Sequence, residues 1–218
     1  MLFRSTDLGI LPEYRGRECA TQLLAAAERR MEDDGALMGV VRTGIPGFFT
    51  RRGWSVCMRH SFSVAGTREI LSRLGESAPV ESDPLKPVRA PLNIRLWRHV
   101  EQAALMRIYA DNTHNVFGPV FRNDSYWRWL INRRAYDRIY IAINGPDKIE
   151  LNDTLTPIVG YAVIKGERIL ELMTSSELPR VAEQLLARTC RDAIEHDTHH
   201  VQYDAAPNDP LHEAFKAA

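Results

Sequence analysis

Apolar residues recur at spacings of three and four along "ECATQLLAAAERRMEDDG", residues 18–35, where Cys19, Ala20, Leu23, Leu24, Ala27 and Met31 share one face. That period predicts a helix starting near Glu18 or Cys19 and closed by Gly35. Around it the pattern shortens to strand length. "LFRSTDLGIL" (2–11) reads as a strand and "ALMGVVRT" (36–43) as a buried strand. "PGFFTRRG" (46–53) reads as a short helix and "WSVCMRHSFSV" (54–64) as a further strand.

A second series begins after residue 91. "NIRLWR" reads as a strand, "HVEQAALMRIYADNTHN" and "SYWRWLINRRAYD" as helices, and "RIYIAIN", "TPIVGYAVIKG" and "RILELMTS" as strands. A long helix follows at "ELPRVAEQLLARTCRDAIEHD", with Leu178, Val181, Ala182, Leu185, Leu186, Ala193 and Ile194 forming its apolar stripe. "HVQYDAA" is then a strand, and "PLHEAFKAA" opens a helix. Strands alternating with helices predict an α/β fold. Both series place a strand, a short turn and a long helix in the same order, so the chain reads as two related units of unequal completeness. The Pro-rich run "GESAPVESDPLKPVRAP", residues 75–91, reads as the linker between a unit at 1–74 and one at 92–218.

Composition narrows the function classes. The 218 residues are 44% hydrophobic, enough for a buried core. Lys plus Arg (28) equals Asp plus Glu (28), so no bulk positive field draws the chain to nucleic acid or to an anionic membrane, and neither is an expected partner. Three cysteines, Cys19, Cys57 and Cys190, are too few and too scattered for a disulfide framework or a thiolate metal site. With no signal peptide and no long apolar span in the sequence, a reducing cytoplasm is the expected compartment.

The chemistry gathers at the first strand-to-helix turn, "YRGRECATQLL". A helix N-terminus exposes backbone N–H groups and the positive end of the dipole, which suits a diphosphate. Gly16 gives the turn its freedom, Arg15 and Arg17 add positive charge, and Ala20 permits close approach. Read from the residues alone, the stretch equally describes a surface turn with two solvated arginines.

"LGILPEYRGRECATQLLAAAERR" resembles the acyl-CoA motif of the GNAT acyltransferase superfamily: an apolar strand, Pro, then Arg-x-x-Gly-x-Gly/Ala opening a helix. Ile10, Pro12, Arg15 and Ala20 match, and Glu18 stands at the glycine position. "PGFFTRRGW" is similar to a later family segment, through Phe48, Phe49, Gly53 and Trp54. The order of elements in the second series is also similar to GNAT, so the chain looks like part of a tandem-GNAT protein. It begins at what would be the fourth strand of the first unit and stops before the closing strands of the second. A longer protein, halves that complete each other, or assembly with another chain are the alternatives this leaves open.

The resemblance implies a GNAT-like mixed sheet flanked by helices, and an N-acetyltransferase that moves acetyl from acetyl-CoA to a small-molecule or peptide amine. The co-substrate would lie on Ile10, Leu11, Pro12, Arg15, Gly16, Arg17, Glu18, Cys19, Ala20 and Thr21. Such chemistry needs a base and an acid. Asp7 is the candidate base, although a solvated strand-end Asp has the same signature. Phe49 stands where the family often has an acid tyrosine, and it has no proton to give. Glu18 and Phe49 also suit a catalytically silent GNAT-like binding or structural module, and open sheet edges suit self-association. A Glu18 carboxylate ~4 Å from a diphosphate charge, at an effective dielectric of about 20, would oppose it by about 4 kcal/mol, roughly a thousandfold in affinity.

The remaining candidates have plainer readings. The second unit lacks the Arg-x-x-Gly-x-Gly/Ala motif and is expected not to hold CoA, with Ser175 or Ser176 capping its helix and Phe215 packing in its core. His196, His199 and His200 cross a helix end into a strand, which favours solvated histidines over a metal site. Tyr126, Trp127 and Trp129 suit the lining of an acceptor pocket, and equally a helix that includes at least one core anchor.

Overall fold

The computed structural model describes residues 2–5, 8–41, 43–56, 62–76, 92–114, 116, 119–145, 157–175 and 180–216. The chain divides into two compact units, Met1–Arg59 with Gly118–Arg122, and His60–Phe117 with Asn123–Ala218. The division therefore precedes residue 60, upstream of the Pro-rich run at which the sequence alone would divide it.

In the first unit, β1 (Leu2–Ser5) pairs in parallel with β2 (Met38–Val41), joined through α1 (Cys19–Asp33). α1 begins and ends where its apolar period predicts, with Gly35 at φ 70° just beyond its end. Leu24 and Met31 are buried, while Leu23, one step round the helix, is 50% exposed. β2 is not the buried strand expected from its composition, because Met38 and Val40 on one face remain open. α2 (Pro46–Thr50) buries Phe49 against Phe48 and Trp54, edge to face at 5.0 and 5.7 Å. The Trp54 indole N–H donates to Glu28 Oε1 at 2.6 Å and so ties this cluster to α1.

The second unit is a six-stranded sheet in the order β3-β8-β7-β6-β5-β4. Its strands are β3 (Phe62–Gly66), β4 (Asn93–Leu96), β5 (Arg138–Ile143), β6 (Ile158–Lys165), β7 (Arg168–Thr174) and β8 (His200–Asp204). All neighbours are antiparallel except β7 and β8, which run parallel and pair only at Arg168↔Gln202 and Ile169↔Tyr203 before β7 continues beyond its partner. Of the strand read at 54–64, residues 62–64 fall in β3 of this sheet, 54–56 are in no strand, and 57–61 lies outside the described residues. β3 lies antiparallel on β8 and forms one edge of the sheet. α3 (Thr67–Glu76) follows directly, covering the first two residues of the expected linker; 77–91 lies outside the described residues.

Helices cover both faces of the sheet, which explains why β5 and β6 read as apolar runs rather than alternations. Ile139, Ile141 and Ile143 pack with α4 (Gln102–Thr113) and α5 (Asp124–Asn132), whereas Tyr140 and Ala142 pack with α6 (Val181–Glu195). The approach of α6 depends on Gly160 of β6: a Cβ there would lie 2.9 Å from Val181 Cγ1 and 3.1 Å from Leu185 Cδ1. The final segment is a 3-10 helix, Pro210–Phe215, and Phe215 stacks on Tyr203 with ring centroids 5.8 Å apart, the core role foreseen for it.

Cys190 is fully buried on α6, and burial pushes its thiol up to about 12. Only the thiolate reacts with disulfide and alkylating reagents, so at pH 8 Cys190 is expected to stay unmodified until denaturant is added, whereas half-buried Cys19 is modified in the native state. Peptide mapping after iodoacetamide, with and without urea, checks this; native-state modification of Cys190 would mean that α6 opens readily.

Candidate functional site

The turn between Leu8 and α1 is built from two short elements. A 3-10 helix at Pro12–Tyr14 has Pro in its first turn, where the missing N–H costs nothing. Arg15 ends it, its Nε 3.4 Å from the carbonyl of Ile10. The chain then turns through two left-handed residues, Gly16 at φ 78° and Glu18 at φ 61°. For glycine that conformation is free, but for Glu18 it is strained by about 1–2 kcal/mol. The residue expected to be glycine by resemblance thus occupies the backbone position that favours glycine.

Glu18 is the N-cap of α1, and its side chain makes no capping hydrogen bond. The first intrahelical bond runs from the Gln22 N–H to the Glu18 carbonyl, 3.0 Å. The N–H groups of Cys19, Ala20 and Thr21 thus form the uncapped first turn, at the positive end of a fifteen-residue helix. The Arg17 guanidinium lies 5.8 Å from the Tyr14 ring centroid, and Arg52 donates to Thr21 Oγ1 at 2.7 Å. Residues 11–18 are all exposed. The first-turn N–H groups of Cys19, Ala20 and Thr21 thus share this short stretch, Ile10 to Thr21, with the Arg15 and Arg17 guanidinium groups and the Glu18 carboxylate. Its chemistry suits an anionic group, with the Glu18 carboxylate opposing. Because Glu18 is exposed, water weakens that opposition far below the thousandfold expected from the sequence. Asp7 lies outside the described residues.

The second unit repeats this local geometry with different chemistry. α6 also has fifteen residues and is also preceded by a left-handed non-glycine residue, Arg180 at φ 78°, without a side-chain cap. Ser175 is not the cap: its N–H donates to the Val159 carbonyl at 2.7 Å and continues the strand ladder. Ser176 lies outside the described residues.

Two further clusters separate structural from exposed residues. Trp127 is buried and meets Tyr109 edge to face at 5.6 Å, so it is the core anchor of the aromatic trio. Trp129 is 38% exposed, beside Tyr126 at 5.3 Å and under the Arg133 guanidinium at 5.1 Å. His196 is held structurally: its Nδ1 donates to the Asp192 carbonyl at 2.8 Å and its Nε2 accepts from Arg138 at 3.0 Å. The Asp192 carboxylate itself, absent from the candidates the sequence offers, is buried on α6. It accepts from the Tyr140 hydroxyl at 2.6 Å and pairs with Arg138 at 2.9 Å. An aspartate within an otherwise apolar helical stripe was the available signal.

No family model matches the chain, and no curated protein matches it. Solved structures do. A GCN5-related N-acetyltransferase from Kribbella flavida superimposes with a TM-score of 0.62 at 17% identity, over 98% of this chain and 48% of that one. A GCN5-related N-acetyltransferase from Anabaena variabilis ATCC 29413 superimposes with a TM-score of 0.59 at 15% identity, over 96% of this chain and 49% of that one. The chain thus has the GCN5-related N-acetyltransferase fold, a mixed sheet flanked by helices. It spans about half the length of each of these two structures. Such a likeness defines architecture; substrate chemistry rests on each protein's own site. Among the described residues, no helix is long and apolar enough to cross a membrane.

Proposed function

We propose that the turn at residues 10–21 binds acetyl-CoA and that the chain serves an N-acetyltransferase acting on an amine. The observation that carries this reading is the uncapped N-terminus of α1, opened by two left-handed residues and flanked by Arg15 and Arg17, on a fold of the GNAT type. The N–H groups of Cys19, Ala20 and Thr21 would take the diphosphate, and Arg15 and Arg17 would balance its charge. Acetyl-CoA supplies an acyl group activated as a thioester. The amine must lose a proton as it takes the acyl group, and Asp7 is our candidate to accept it. Phe49 supplies no proton to the departing thiolate, since it is an apolar residue buried in the core of the first unit.

Glu18 and Phe49 favour a second reading, a GNAT-like module that binds without transferring. One experiment separates the two. The full chain is titrated with acetyl-CoA by calorimetry at fixed salt and then assayed for free CoA thiol with a panel of primary amines. Binding with amine-dependent thiol release supports the transferase, and binding without release supports the silent module. Absence of binding at millimolar acetyl-CoA overturns both and leaves a structural domain.

A further inference from the structure

His212 belongs to the 3-10 helix Pro210–Phe215, and its surroundings hold that element from three sides. Asp209 caps it, one carboxylate oxygen accepting from the Leu211 N–H at 2.9 Å and the other from the Tyr203 hydroxyl at 3.0 Å. Arg73 of α3 donates to the Ala214 carbonyl at 2.9 Å, and Phe215 lies stacked on Tyr203. Packing therefore fixes where the imidazole sits.

The two ring nitrogens have different partners. Nε2 is 2.9 Å from the Ala206 carbonyl oxygen, and Nδ1 is 2.8 Å from Ser63 Oγ. A carbonyl only accepts, so Nε2 carries the proton of the neutral ring and donates it to Ala206. Nδ1 is then a lone pair, and the Ser63 hydroxyl must be the donor. A serine that points its proton at a base, whose tautomer is set from behind by a third group, has the arrangement of an activated nucleophile.

Access fits the same reading. Ser63 is half-buried on β3, the edge strand of the sheet, and no described strand pairs with its outer side.

We propose that Ser63 and His212 form a nucleophile–base pair that cleaves small carboxylic esters, a site independent of the turn at residues 10–21. Ser63 Oγ bonds to the ester carbonyl carbon while its proton passes to His212 Nδ1, and the resulting imidazolium keeps its Nε2–H on Ala206. The carbon–oxygen bond to the alcohol breaks, and the departing alkoxide takes the proton from Nδ1. Water then adds to the acyl-serine and gives its proton to Nδ1. The carboxylic acid leaves as Ser63 recovers its proton.

The test uses the full chain and a fluorophosphonate probe, with the adduct mapped by peptide mass spectrometry. The expected result is one phosphonylated serine, Ser63. His212→Gln should lower the labelling rate about 100-fold, the contribution of a positioned general base. Hydrolysis of p-nitrophenyl acetate should fall to the buffer rate in Ser63→Ala, with the thermal midpoint recorded alongside to show that the variant is folded. The wild-type map needs no variant and decides first: no adduct on Ser63, or equal labelling of other serines, overturns the proposal. Unchanged labelling in folded His212→Gln would also overturn it and make the contact a clasp between the 3-10 helix and β3.

Discussion

Asp192→Ala is expected to destabilise the second unit by about 3–5 kcal/mol, the usual consequence of removing one partner of a buried ion pair. Asp192 is 5% exposed and its carboxylate serves two partners at once, accepting from Tyr140 and pairing with Arg138, both on β5. Its loss leaves the Tyr140 hydroxyl and the Arg138 guanidinium without their shared acceptor beneath α6. Burial first, and the hydrogen bond to Asp192 next, already raise the Tyr140 hydroxyl above its ordinary pKa, so the proton it donates is firmly held. Asp192→Asn keeps an acceptor oxygen and should cost less, while Tyr140→Phe removes one hydrogen bond and should cost about 1–3 kcal/mol. Urea denaturation of the three variants checks the ranking. If Asp192→Ala costs under 1 kcal/mol, water reaches the cluster and its charges are not confined by α6.

Glu18→Gly is expected to act in two ways that can be measured separately. It relieves a left-handed backbone at a non-glycine residue, which should raise thermal stability modestly, since glycine's own chain entropy offsets part of the gain. It also removes a carboxylate from the turn we propose for acetyl-CoA. For an exposed charge ~4 Å from a phosphate in water the repulsion is about 1 kcal/mol, so affinity should rise about fivefold. Glu18→Gln should give the same rise in affinity without the stability gain. Arg15→Ala in the Glu18→Gly background should weaken binding again. Calorimetry at fixed salt reads the affinities. Tight binding by the wild type, unchanged in Glu18→Gly, would show that the carboxylate points away from the bound anion.

The sequence by itself determined what depends on neighbours a few residues apart. α1 and α6 were legible from apolar spacing, and Gly35 marked the end of the first, because helix formation and termination are local events. The surface turn was also legible, since its residues are contiguous from Ile10 to Thr21. Tertiary structure alone decided where each strand found its partner. Residues 62–66 have the alternation of a strand wherever they go, and only pairing with β8, far along the chain, assigns them to the second unit. The same holds for burial. β2 has the composition of a covered strand yet keeps Met38 and Val40 open, whereas β5 loses its alternation because α4 and α5 close one face and α6 the other. The pairs Asp192–Tyr140 and Ser63–His212 join residues 52 and 149 positions apart, and chain spacing carries no trace of a contact made by packing two distant elements together.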